Sequence, residues 1–132
     1  DLSAEQFTRL DGSPYLWQPE LNRWRIVFVS DKPCQKDCQA MLDTLHRVWL
    51  SQGRHTEDID LLWFADVPAN TYDFKGFVAM QPQPILNRVL PDLQSSTGYP
   101  VYLIDPGGFV MMKYKAGFDP SELRKDVAKL VK

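Results

Sequence analysis

The chain has 132 residues, 44% of them hydrophobic, with 15 Lys plus Arg against 17 Asp plus Glu and a formal net charge of −2. That length and composition suit one folded domain with a core of its own, and they exclude a disordered chain and a small scaffold that depends on disulfides. No basic block with interleaved aromatics is present, which speaks against a nucleic-acid partner. No apolar run reaches the roughly 18 residues of a membrane span, and no charged-then-apolar leader opens the chain at Asp1.

Residues 1–22 read as a variable extension ahead of a core over 23–132, the whole forming a single domain. RIVFVS (25–30) is a continuous apolar run closed by the turn-like DKP, as expected of a strand buried on both faces. The helix that follows places Cys38, Met41, Leu42, Leu45, Val48 and Trp49 on one face, and Gly53 is its expected stop. DIDLLWFADV (58–67) is a second buried strand, closed by Pro68. Residues 70–83 carry turn residues and a proline, Pro82, without a period, and read as an irregular insertion.

Between Pro84 and Leu93 the apolar residues recur at helical spacing, so a short helix is predicted. VYLI (101–104) and FVMMKYK (109–115) flank DPGG, a hairpin signal. In the second strand Val110, Met112 and Tyr114 alternate with Met111, Lys113 and Lys115. Asp119, Pro120 and Glu122 open a last helix whose apolar face is Leu123, Val127, Leu130 and Val131. The order β-α-β-α-β-β-α predicts an α/β sandwich of three layers with a mixed central sheet and flanking helices.

CQKDC (34–38) holds both cysteines of the chain, at the junction of the first strand and its helix. A thiol at a helix N-terminus faces unsatisfied N–H groups and the positive end of the macrodipole, which favours thiolate. Lys32 and Lys36 add positive charge there, and Asp31 and Asp37 partly cancel it. Cys34 is the expected nucleophile, and Cys38, which begins the apolar face, the buried resolving thiol. Helical residues four apart sit about 5–6 Å apart at Cβ, whereas a disulfide needs about 3.8 Å. Closing the pair therefore requires an unwound first turn, which Pro33 permits. Two thiolates at this spacing also suit a soft ion such as Cu(I), with no third ligand identifiable. A structural disulfide and inert buried thiols are the bland alternatives.

The two histidines have bland readings too: His46 as a residue bordering the helix stripe, His55 as solvated. Trp17, Trp24, Trp49 and Trp63 read as core or near-core, Met111 and Met112 as one core and one surface residue, and Asp105 as a turn residue.

With the cysteine pair at that junction, and with TGYPVYLIDPGGFVMMKYKAG (97–117) behind it, the chain resembles the thioredoxin-like fold. The resemblance implies a cis proline at Pro100 facing Cys34. The three-residue spacing of CQKDC and the phrase VYLIDPGG are similar to the SCO/SenC group of cytochrome c oxidase assembly factors, and LDGSPYLW (10–17) corresponds loosely to that group's N-terminal hairpin. In that group two cysteines and a histidine hold copper; here LPDLQSSTGYP (90–100) contains no histidine.

The resemblance thus implies thiol–disulfide exchange through Cys34 and Cys38, supported by Pro33, Lys36 and Pro100. No cofactor is required, and Cu(I) held by Cys34 and Cys38 stays open. Protein thiols and disulfides, including an oxidase subunit, are the implied partners. The implied compartment is periplasmic or otherwise extracytoplasmic, with a membrane anchor ahead of Asp1. A non-catalytic module that docks to a membrane complex is the competing reading, and a peroxidase-like one the third.

Overall fold

A computed structural model describes residues 2–33, 36–68, 73–90, 93 and 99–131. Seven strands occur among them: β1 (Phe7–Thr8), β2 (Pro14–Tyr15), β3 (Trp24–Val29), β4 (Ile59–Phe64), β5 (Phe77–Ala79), β6 (Val101–Ile104) and β7 (Val110–Tyr114). The helices are α1 (Lys36–Leu50), α2 (Leu86–Val89) and α3 (Pro120–Leu130). β1 and β2 form a small hairpin, and the other five strands form one mixed sheet in the order β5-β4-β3-β6-β7. β4 runs parallel to β3 and β5 parallel to β4; β6 is antiparallel to β3, and β7 antiparallel to β6.

Alternation along the strands divides the core in two. Ile26 and Phe28 share one face with Leu61, Trp63 and Leu103, and there meet Leu42, Leu45 and Trp49 of α1 and Leu123 and Val127 of α3. Val27, Leu62, Phe64, Tyr102 and Ile104 face the other way, against Phe7, Tyr15 and Trp17 and the α2 region. The outcome is the three-layer α/β sandwich expected from the element order. The helix stripe is borne out: Cys38, Leu42, Leu45, Val48 and Trp49 are buried, and Met41 packs beside them. Asp119 caps α3 by accepting from the Ser121 N–H at 3.0 Å.

Four expectations change. The insertion at 70–83 contains β5, too short to show a period; Gly76 just before it lets the backbone approach Trp49, and the Leu61 N–H donates to its carbonyl at 2.6 Å. The register of β6 on β7 steps by one between Leu103 and Ile104, with Leu103 opposite Met112 and Ile104 opposite Val110. Met111 is the extra residue of a bulge, so Val110 turns to one core and Tyr114 to the other. Both methionines are exposed, so neither fills the core. Leu130, expected on the apolar face of α3, is also exposed.

The N-terminal segment is built into the fold. Leu10 N–H donates to Ala79 and Gln81 N–H to Thr8, both at 2.9 Å, which covers the free edge of β5. A buried polar network ties the same segment to the sheet. Arg25, 1% exposed, donates from Nε to the Tyr15 hydroxyl at 2.9 Å and from its terminal nitrogens to the carbonyls of Arg23 and Trp17, with its guanidinium 4.1 Å from the Trp17 ring. Tyr15 in turn donates to Asp60 at 2.6 Å. Burial first, then the Asp60 carboxylate, raises the Tyr15 pKa, with Arg25 opposing, so the phenol stays protonated and bridges the two charges.

On the opposite face His46 stacks on Phe74 at 4.2 Å and lies 6.3 Å from Trp49. Desolvation there lowers its pKa, partly offset by Asp43 one turn earlier.

Two outcomes follow from these contacts. Tyr15→Phe leaves Asp60 and Arg25 each short of a partner in a buried site, and should cost about 1–3 kcal/mol in urea denaturation; an unchanged midpoint would contradict the network. Because desolvation lowers the His46 pKa in the folded state, the unfolded chain binds the proton more readily. Its share of stability is full above the ordinary histidine value of about 6.5, is lost as pH falls through it, and levels off once the folded form is protonated. The fall in urea midpoint on acidification should be smaller in His46→Phe than in the parent chain; equal falls would refute the assignment.

Candidate functional site

β3 delivers the chain to the cysteine motif. Beyond Val29 the Ser30 N–H still donates to Phe64 at 3.0 Å, and the Lys32 N–H donates to Ser30 Oγ at 3.2 Å. Pro33, Lys36 and Asp37 are exposed. Cys38 is the third residue of α1, 1% exposed and packed in the core under that helix. Cys38 is disulfide-bonded, and Cys34, the chain's other cysteine, lies outside the described residues.

Pro100 is buried directly before β6, whose Val101 pairs with Phe28, so it reaches the same end of the sheet as Val29. No cis peptide bond occurs among the described residues, and the cis form implied for Tyr99–Pro100 is not adopted. The trans form is the ordinary preference of an X–Pro bond, by about 0.5–1 kcal/mol, and a strand's entry position needs no N–H from proline.

A cavity of about 760 Å³ opens at this end, where β3 and β4 finish. Val29, Phe64, Met80, Leu93 and Pro100 form its apolar floor. Ser30, Asp31 and Lys32, which lead into the cysteine motif, lie on one side, and Asp66 and Val67 beyond β4 on another. Met80, Pro82, Gln83, Pro84, Asn87 and Leu10 were not legible as site residues, because they come from the segment without a period, from the short helix after it and from the extension. The signal that could have found part of them is general: ligands of parallel sheets gather outside the carboxyl ends of the strands, here the ends of VFVS and LWFADV.

The described residues do not assemble a donor set for copper. Among the described residues no group of three His, Cys, Asp or Glu is placed to hold a metal ion. His46 lies eight residues beyond Cys38 on the same helix, roughly 12 Å along its axis, and His55 lies in the 3-10 turn Gly53–Asp58 at the far end of the sheet. The described part of the site can offer one cysteine sulfur, a helix N-terminus and an apolar cavity.

In fold the chain is similar to ScoI of Arabidopsis thaliana with copper bound (TM-score 0.66, 13% identity, 94% of this chain and 93% of that one covered). It is similar also to a SCO1/SenC family lipoprotein of Bacillus anthracis (0.67, 18%, 97% and 93%). A third is BsSco, a member of the Sco family of cytochrome c oxidase assembly proteins in which a disulfide switch was identified (0.68, 14%, 96% and 91%). No curated protein matches by sequence. No helix among the described residues is long and apolar enough to cross a membrane. A family model described as "Transmembrane-like, thioredoxin-like, C-terminal domain" matches residues 24–132, β3 to the end of the chain. With most of its length so matched, the chain belongs to this thioredoxin-like family.

Proposed function

We propose that the chain is an Sco-like thiol–disulfide exchange protein of an extracytoplasmic compartment, anchored to a membrane and supporting cytochrome c oxidase assembly. The observation that carries the chemistry is the burial of Cys38 in a disulfide at the head of α1. In the reduced protein, Cys34 as thiolate attacks one sulfur of a partner disulfide, and the partner's other sulfur leaves as thiolate. Cys38 then attacks Cys34 in the mixed disulfide, releasing the second partner thiol. Two electrons pass to the partner, and an external dithiol returns the pair to the reduced form. Lys36 and the helix N-terminus favour the attacking thiolate, and Pro33 directly precedes Cys34 in the chain. Pro100 closes the site from the β6 side. The membrane anchor and compartment rest on the family's description and on the lipoprotein among the similar folds.

Copper carriage through the two sulfurs is the second reading, favoured by similarity to a copper-bound Sco fold. The placement of His46 well along α1 and of His55 at the far end of the sheet counts against it.

Thiol exchange predicts that Cys34→Ser abolishes reduction of a protein disulfide, while Cys38→Ser accumulates a mixed disulfide visible on non-reducing gels. Failure of iodoacetamide to modify either thiol of the reduced, folded protein would sink the exchange mechanism. Titration of the reduced protein with Cu(I) separates the readings: stoichiometric tight binding lost in Cys34→Ser favours carriage, and its absence leaves exchange.

A further inference from the structure

The fold treats the two edges of its sheet differently. β5 is covered by the N-terminal segment, whereas β7 ends the strand order on the other side, with no strand beyond it among the described residues. The bulge breaks the alternation along β7 and its approach, so that Phe109, Met111 and Met112 stand 55%, 47% and 39% exposed. Lys115 is exposed beside them, and Lys113 is half-buried. From Pro106 to Phe118 the sequence contains no Asp or Glu, although the chain carries 17 of them. The carboxylates that reach this hairpin are committed within it. Asp105 Oδ1 accepts from the Phe109 N–H at 2.9 Å, and Asp126 Oδ2 from the Tyr114 hydroxyl at 2.6 Å. Exposed apolar side chains beside ammonium groups, without carboxylates, suit the surface of an anionic bilayer.

The alternative occupants fit less well. A bulge and lysines are devices that oppose pairing of an edge with another strand, a second copy of this chain included. Position favours the membrane further. The Leu2 N–H donates to the Gly108 carbonyl at 2.9 Å, and Trp17 Nε1 to the Pro106 carbonyl at 3.0 Å. The turn that carries Phe109 is thus braced, and Leu2 is held against it. The membrane anchor proposed ahead of Asp1 would join the domain at this turn, next to the exposed side chains. The unpaired backbone of β7 needs water and cannot enter the hydrocarbon, so the contact lies at headgroup depth.

We propose that the β7 edge, from Phe109 to Lys115, rests on the anionic lipid headgroups of the membrane that anchors the chain. Phe109, Met111 and Met112 dip into the interface, and Lys115 meets lipid phosphates. The inference rests on the membrane-anchored reading and adds an orientation to it. With β7 along the surface, two strand spacings of about 4.8 Å set β3 and its cysteine motif roughly 10 Å farther out, facing sideways. The partner disulfides in reach are those close to the bilayer. The anchor makes the contact intramolecular, so a weak affinity is enough to fix the orientation.

Vesicle binding tests the edge without the anchor and without the thiols. The 132-residue chain should sediment with phosphatidylcholine vesicles holding about one phosphatidylglycerol in three lipids, at about millimolar lipid, and not with phosphatidylcholine alone. Phe109→Asp and Lys115→Glu should each weaken binding about fivefold or more, the scale of one charge at such a surface. Leu50→Asp, equally exposed at the end of α1, should leave it unchanged. Brominated phosphatidylglycerol should quench the added fluorescence of Phe109→Trp and spare that of Leu50→Trp. Equal sedimentation with both vesicle types, or equal weakening by Leu50→Asp, would overturn the proposal. No sedimentation with either would also overturn it, and would assign the exposed edge to a protein partner. Fractionation of the full chain from cells tests the anchor separately: recovery in the soluble fraction would refute anchoring, while selective vesicle binding would leave the β7 contact standing.

Discussion

β3 is hydrogen-bonded on both edges and covered on both faces, so its register is the constraint on which the site depends. Trp24 through Val29 pair in parallel with Ile59 through Phe64, and Arg25 through Phe28 pair with β6 in the opposite sense. A slip of one residue would send Ile26 and Phe28 to the wrong core and turn Val27 toward α1. It would also carry Arg25 away from Tyr15 and from the Trp17 carbonyl. A buried guanidinium without those partners costs several kcal/mol, so the polar network opposes the slip as strongly as the apolar pattern does. Fixing the start of β3 fixes its end, and the chain then leaves the sheet at one point, from which α1 can place Cys38 in the core.

The two ends of the sheet are thereby put to different uses. Where β3 and β4 begin, charge is buried and matched: Arg25 and Asp60 share a protonated phenol, and Arg23 lies 3.5 Å from the same carboxylate. Where the strands finish, charge is exposed around an apolar hollow. Interior charges of the first kind specify an arrangement and do not exchange with solvent. The hollow would lose nothing comparable on being filled, because its carboxylates and ammonium are already hydrated at the rim. Packing of the N-terminal segment on β5 serves both ends, since it brings Tyr15 and Trp17 to the network and Leu10 to the cavity mouth.

What could be read from the sequence was what one element states alone. RIVFVS and DIDLLWFADV announce buried strands by composition, the stripe from Cys38 to Trp49 announces a helix face, and Asp119-Pro120 announces a helix start. Features set by a second element were hidden. Arg25 reads as an ordinary strand-end charge until Tyr15 and Trp17 are seen to enclose it. β5 has three residues, too few for a period, and exists because β4 offers it an edge and Gly76 lets Trp49 in. The bulge at Met111 leaves no mark on the alternation of FVMMKYK, and only the pairing of Ile104 with Val110 reveals it. For the site, the sequence located the cysteine motif and brought Pro100 to it by resemblance. The cavity escaped because it is made by residues from stretches far apart in the chain, from Leu10 to Pro100.

Topology also bears on the choice between holding a metal and exchanging thiols. A helix that starts at the carboxyl end of β3 must carry every later residue away from that end, at about 1.5 Å per residue. His46 and His55 follow Cys38 along this path and are removed from it by the same geometry that buries Cys38 correctly. No rotamer change can return them; a third ligand would have to come from another segment. Thiol exchange asks less of the surroundings. It needs a thiolate at a helix N-terminus, a buried partner sulfur, and room for the substrate's neighbouring residues. The described structure contains the helix, the partner sulfur and the room, and these weigh toward exchange over carriage.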